Sequence, residues 1–134
     1  MKSKILEFKT IGDERGCLIA LELGHNVPFD VKRVYYIFNT KKGVRRGFHA
    51  HKNLKQLAIC TRGSCKFLID DGTSQQTFNL TTPNHGLYIE GLVWREMFDF
   101  SDDCVLMVLA DAHYDEKDYI RNYQEFSNLV KERK

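Results

Sequence analysis

Gly43-Val44-Arg45-Arg46-Gly47-Phe48-His49-Ala50-His51-Lys52-Asn53-Leu54-Lys55-Gln56-Leu57-Ala58-Ile59-Cys60-Thr61-Arg62-Gly63 is the stretch on which the reading of this chain turns. Side chains of an extended strand alternate between its faces, so His49 and His51 share a face and their imidazoles can converge on one small volume. The glycines suit turns at both ends, and Lys55–Thr61 reads as the next strand. Histidine pairs carried on strands build metal centres and also metal-free acid–base sites. The remainder of the chain has to discriminate between the two.

Working outward, Lys4–Lys9, Arg15–Leu23 and Val31–Phe38 precede this stretch as strand-like segments, the last rich in β-branched and aromatic residues. Ser64–Asp70, Gln75–Leu80, Gly86–Glu90, Val93–Phe100 and Cys104–Ala110 follow it. Turn chemistry separates them at Gly12-Asp13, Arg62-Gly63, Asp70-Asp71-Gly72 and Pro83-Asn84-His85-Gly86. About ten short strands at nearly regular spacing predict an all-β sandwich or closed barrel rather than a doubly wound sheet. Beyond Asp115 the period changes: Tyr119/Ile120, Tyr123, Phe126 and Leu129/Val130 recur at helical spacing, with Asp115 and Asp118 as a cap and Lys131 and Lys134 at the far end. The expectation is one domain, 1–134, with a strand core over 4–110 and a C-terminal helix over about 116–131.

At 134 residues and 43% hydrophobic, the chain can bury one core, and its net charge of +2 is no polyelectrolyte signal for nucleic acid. No apolar run approaches a membrane span, and Met1–Lys9 lacks the apolar stretch of a signal peptide. Cys17, Cys60, Cys65 and Cys104 form no C-x-x-C pair and read as free, buried thiols. A cytoplasmic protein with neither membrane nor nucleic-acid partner is expected.

The spacing from Gly43 through His49-x-His51 to Gln56 and Gly63 resembles the first motif of the cupins, G-x5-H-x-H-x4-E-x6-G, with Gln56 in place of the metal-binding glutamate. The later strand that normally supplies another histidine carries Trp94. Glutamine removes the charge that balances a cation and an indole N–H cannot ligate, so no metal is expected. What remains is a histidine pair that titrates near about 6.5 when unperturbed, suited to general acid–base chemistry. Beside it stand Arg45, Arg46 and Lys52, suited to an anionic substrate such as a phosphate.

A closer resemblance covers most of the chain. Arg46-Gly47-Phe48-His49-Ala50-His51-Lys52, Gly63-Ser64-Cys65, Asp70-Asp71-Gly72, Val93-Trp94-Arg95-Glu96-Met97 with Asp99-Phe100-Ser101, and Tyr114-Asp115-Glu116-x-Asp118-Tyr119-Ile120-Arg121-x-Tyr123 are together similar to the nucleotide-sugar 3,4-ketoisomerases. The resemblance implies a cupin-like β-barrel or jelly roll and a homodimer. It implies action on a dTDP-linked 4-keto-6-deoxyhexose without cofactor, on routes to 3-amino-3,6-dideoxysugars of lipopolysaccharide or S-layer glycans. In that reading His49 takes the C3 proton and His51 relays or returns protons, in an order the sequence leaves open. Gln56 and Tyr36 steady the enediolate oxygen, Arg46 and Arg121 hold the pyrophosphate, and Tyr35 or Tyr36 with Trp94 lines the sugar or base. Arg95, Glu96 and Arg15 complete the mouth. Two alternatives stay open: a dTDP-sugar 3,5-epimerase, and a nucleotide-sugar-binding cupin without turnover.

Overall fold

The computed structural model describes residues 1–134. Twelve strands run in chain order as β1 (Lys4–Glu7), β2 (Ile11–Asp13), β3 (Gly16–Leu18), β4 (Arg33–Ile37), β5 (Arg46–His51), β6 (Gln56–Arg62), β7 (Cys65–Asp70), β8 (Gln75–Leu80), β9 (His85–Ile89), β10 (Trp94–Phe98), β11 (Val105–Ala110) and β12 (Tyr119–Ile120). A 3-10 turn (Glu116–Asp118) precedes β12, and one helix, α1 (Tyr123–Glu132), ends the chain. The strands form two antiparallel five-stranded sheets, β1-β9-β6-β11-β4 and β12-β5-β10-β7-β8, and a separate β2-β3 hairpin. The predicted all-β class holds, as an open jelly-roll sandwich rather than a closed barrel. No helix is long and apolar enough to cross a membrane.

Alternation explains which residues fill the space between the sheets. Ala58 and Cys60 of β6, Phe67 and Ile69 of β7, and Leu106 and Val108 of β11 point inward into one apolar core. Leu57 and Ile59 point the other way, beneath Phe8, Val27 and Phe29 of the N-terminal segment. With both faces covered, β6 reads as an almost continuous apolar run. Cys60 lies 3.4 Å from Cys65 and 3.7 Å from Cys104 within this core, and hydrogen bonding and burial raise the Cys60 thiol well above its ordinary value. Cys17, expected to be buried, is exposed on the β2-β3 hairpin.

The C-terminal segment departs from the expected helix over 116–131. Asp115 caps only the 3-10 turn, accepting from the Lys117 N–H, and Tyr119–Ile120 then pairs with His51 and Ala50. The backbone of these two residues is satisfied by β5 rather than by a helical turn. Helix α1 begins at its own cap, Asn122, which accepts from the Glu125 N–H at 3.0 Å. It buries Phe126 against Trp94, Ala50 and Ile120 on the outer face of the second sheet. Tyr123 donates to the buried Asp70 at 2.6 Å and pins the start of the helix to β7.

Candidate active site

Strand β5 presents the histidines, but not with uniform alternation. Arg95 of β10 pairs with His49 while its neighbour Glu96 pairs with Gly47, so Phe48 is an extra residue. Gly47 has φ +93° and Phe48 φ 58°. A Cβ at Gly47 would stand 2.8 Å from the Arg95 carbonyl oxygen, so the bulge is closed around a glycine. A bulge resets the phase of a strand. Arg46 and His49, three positions apart, therefore both line a cleft of ≈ 420 Å³. His51 is buried and borders an adjoining pocket of ≈ 190 Å³.

The two rings meet edge to face with centroids 5.0 Å apart, and the Tyr119 ring sits 5.0 Å from His49 and 4.3 Å from His51. His49 Nδ1 lies 3.1 Å from the Gly47 carbonyl oxygen. A carbonyl only accepts, so Nδ1 carries the proton and Nε2 is the basic nitrogen. His51 Nδ1 lies 2.9 Å from Asp118 Oδ2. Burial, and after it the Arg95 guanidinium, push His49 down to about 4 against the opposing bond to Gly47. Burial, Arg95 and His49 push His51 down to about 2. Both imidazoles are neutral near pH 7, the form that accepts a proton.

Arg95 is enclosed between the sheets. Its Nη1 donates to Gln56 Oε1 at 2.5 Å and its Nη2 to the Val93 carbonyl oxygen at 3.2 Å, while Nε is buried without a partner. Burial lowers it to about 10, opposed by Tyr35 and Asp118, so it stays cationic at neutral pH. Gln56 Nε2 in turn donates to the Tyr35 hydroxyl at 3.2 Å, and burial raises that phenol. A polar chain thus runs from β4 through β6 to β10 at the floor of the cleft.

Three guanidinium groups line the cleft, from Arg33, Arg46 and Arg121. Arg33 lies 5.6 Å and 5.9 Å from the Tyr35 and Tyr114 ring centroids, and its Nε is buried without a partner. Arg121 covers the Tyr119 ring at 4.4 Å and donates to both oxygens of Glu116, at 2.8 and 2.9 Å. Arg121, and after it the Tyr114 hydroxyl, hold the Glu116 carboxyl down at about 2.

Of the residues singled out by sequence, His49, His51, Tyr35, Arg46, Gln56, Arg95 and Arg121 come together here. Tyr36 does not: alternation along β4 turns it to the outer face, 64% exposed. Nor do Trp94 and Glu96, which share the face of β10 opposite to Arg95. Trp94 packs on Tyr123 and Phe126 and donates to Glu96 at 2.8 Å, and Glu96 also accepts from Arg45. Arg15 stands at the tip of the β2-β3 hairpin, bonded to Asp13, away from this cleft. Arg33, Tyr114, Asp118 and Tyr119 also line the site, and the sequence reading gives none of them a part in it. Arg33 is legible as the same-face neighbour of Tyr35. The other three lie in the Tyr114–Tyr123 block, where helical spacing masks a turn and a short strand.

The family described as FdtA: WxcM-like, C-terminal, matches residues 1–131. The TDP-4-oxo-6-deoxy-alpha-D-glucose-3,4-oxoisomerase of Aneurinibacillus thermoaerophilus is 52% identical over 130 residues, covering 97% of this chain and 94% of that protein. The TDP-quinovose 3,4-ketoisomerase WlaRB of Campylobacter jejuni is 50% identical with a TM-score of 0.91, over 95% of this chain and 98% of that one. A histidine-to-asparagine variant of the 3,4-ketoisomerase QdtA from Thermoanaerobacterium thermosaccharolyticum, solved with TDP-4-keto-6-deoxyglucose, is 46% identical with a TM-score of 0.95. It matches 98% of this chain and 95% of its own. Matched along nearly its whole length, the chain belongs to the FdtA, WxcM-like C-terminal family, whose relatives named here are sugar 3,4-ketoisomerases.

Proposed function

We propose that this chain is an isomerase that converts TDP-4-keto-6-deoxyglucose to the 3-keto sugar by histidine acid–base chemistry. The observation that carries this reading is a neutral histidine pair, with His49 Nε2 free to accept a proton, in a cleft lined by three guanidinium groups. Guanidinium forks suit a diphosphate, and Arg46, Arg121 and Arg33 take that part.

His49 removes the C3 proton, and the electron pair of that C–H bond forms the C3–C4 enediolate. A proton delivered to C4 and transfer of a hydroxyl proton from O3 to O4 complete the exchange of ketone and alcohol, with no net redox change. His51 relays these protons. Anionic charge developing on the enediolate oxygens is offset by the fixed Arg95 cation and by the Gln56–Tyr35 hydrogen-bond chain, a part that its outward direction denies to Tyr36. The product is a substrate for an aminotransferase in 3-amino-3,6-dideoxysugar synthesis, and the enzyme works in the cytoplasm.

The active form is a homodimer with Lys4–Leu23 in its interface. In support, the β2-β3 hairpin pairs with no other strand of its own chain, and Ile11 and Leu18 are 55% and 57% exposed on it. A fully active monomer on concentration-dependent sizing would remove this part of the proposal.

Proton NMR of the chelator-treated protein with TDP-4-keto-6-deoxyglucose in D2O tests the reaction. Expected are conversion to the 3-keto sugar, deuterium at C4, and loss of both in His49→Asn and His51→Asn. Exchange at C5 would instead indicate an epimerase, and nucleotide binding without any exchange a sugar-nucleotide sensor.

A further inference from the structure

His51 meets a carboxylate from a turn 67 residues downstream. That carboxylate has little freedom. Asp118 Oδ1 accepts from the Asn53 N–H at 2.9 Å while Oδ2 faces His51 Nδ1 at 2.9 Å. Its backbone carbonyl accepts from the Lys52 N–H at 3.0 Å, its N–H donates to the Asp115 carbonyl at 3.1 Å, and the next residue, Tyr119, pairs with His51. The side chains are 2% exposed for His51 and 18% for Asp118. The rings of His49 on β5 and Tyr119 on β12 pack against it, the cations of Arg95 on β10, Arg33 on β4 and Arg121 after β12 act on its charge, and His113 and Asp115 share its pocket. Asp118 supplies the carboxylate contact.

We infer that Asp118 is a positioning residue that holds His51 as its Nδ1–H tautomer and so makes Nε2 the nitrogen that exchanges protons during turnover. A carboxylate only accepts hydrogen bonds, so the imidazole nitrogen opposite it carries the hydrogen. The consequence for turnover rests on the ketoisomerase reading; the tautomer does not.

The geometry makes the isosteric change Asp118→Asn informative. The Asn53 N–H already requires an acceptor, so the amide oxygen takes that side and the NH2 group faces His51 Nδ1. Two donors cannot share that contact, and the ring moves its hydrogen to Nε2. Where an acidic partner of a catalytic histidine was exchanged in this way in a serine protease, kcat fell by about 10⁴ with the geometry intact.

The experiment is long-range 15N NMR of the imidazoles in the wild type and in Asp118→Asn, with steady-state kinetics on TDP-4-keto-6-deoxyglucose. Expected are a protonated Nδ1 at His51 in the wild type and a protonated Nε2 in the variant. The accompanying loss in kcat is about 10²–10⁴-fold with KM nearly unchanged. The inference is overturned by an Nε2–H ring in the wild type, by a variant that keeps Nδ1–H, or by a flipped ring that turns over at the wild-type rate. A wild type that isomerises no keto sugar overturns the functional reading instead, and the spectra still decide the tautomer.

Discussion

Replacing Gly47 by alanine tests the link between the bulge and the site. Gly47 has φ +93°, a left-handed conformation that costs other residues about 1–2 kcal/mol. Its new Cβ would also meet the Arg95 carbonyl oxygen at 2.8 Å and Glu96 Cα at 3.1 Å, both rigid backbone. Forcing such a contact adds about 1–3 kcal/mol. Gly91 provides the control, with φ +84° and nothing within 4 Å of its Cβ position, so Gly91→Ala carries the conformational cost alone. Unfolding entropy of about 2.1 cal/mol/K per residue is about 0.28 kcal/mol/K for this chain. Tm is then expected to fall by about 7–18 °C in Gly47→Ala and by about 4–7 °C in Gly91→Ala. Relief of the clash requires β5 to move off β10, which turns His49 out of phase with Arg46. Turnover in Gly47→Ala should therefore be lost even well below its Tm, while Gly91→Ala remains active. Calorimetry and single-temperature kinetics on both variants measure this. Equal Tm values with full activity in Gly47→Ala would refute the role given to the bulge.

Three further outcomes follow from the geometry. His49 and His51 are held below their unfolded value of about 6.5, so their contribution is complete above that pH and is lost as pH falls, toward about 4 for His49 and about 2 for His51. Denaturant unfolding should show stability declining there by up to about 1.4 kcal/mol per pH unit for each histidine, with a shallower slope in His51→Asn. Trp94→Phe should lower stability by about 1–2 kcal/mol through the lost bond to Glu96, leaving kcat unchanged because the indole lies under α1; a tenfold drop in kcat would contradict that placement. Tyr35→Phe should reduce turnover by loosening Gln56, whereas Tyr36→Phe should be neutral in the same assay.

Period-two alternation and turn chemistry make most strands legible, because a half-buried strand writes its geometry directly into its sequence. The histidine doublet is legible for the same reason, and the residue types at Gln56 and Trp94 alone weaken a metal reading. The departures have a common origin. Tyr35 and Tyr36 are equally plausible as isolated residues; only the pairing of β4 with β11 turns the first inward. Trp94, Arg95 and Glu96 are adjacent, yet the pleat sends the arginine between the sheets and its neighbours to the outer face, where α1 covers Trp94 and Glu96 accepts from Trp94 and Arg45. Tyr119 and Ile120 fit a helical stripe, but β5 offers their backbone a ladder.

The sequence by itself determined the all-β class and a histidine pair on one face of a strand, both consequences of local side-chain direction. Tertiary structure alone decided which groups act on that pair. The phase of β5 depends on one bulge against β10, and Arg33, Asp118 and Tyr119 arrive from remote segments whose approach no local period encodes. Burial and a buried guanidinium then set the charge state of the two histidines, because desolvation and Coulomb forces depend on spatial neighbours rather than chain neighbours.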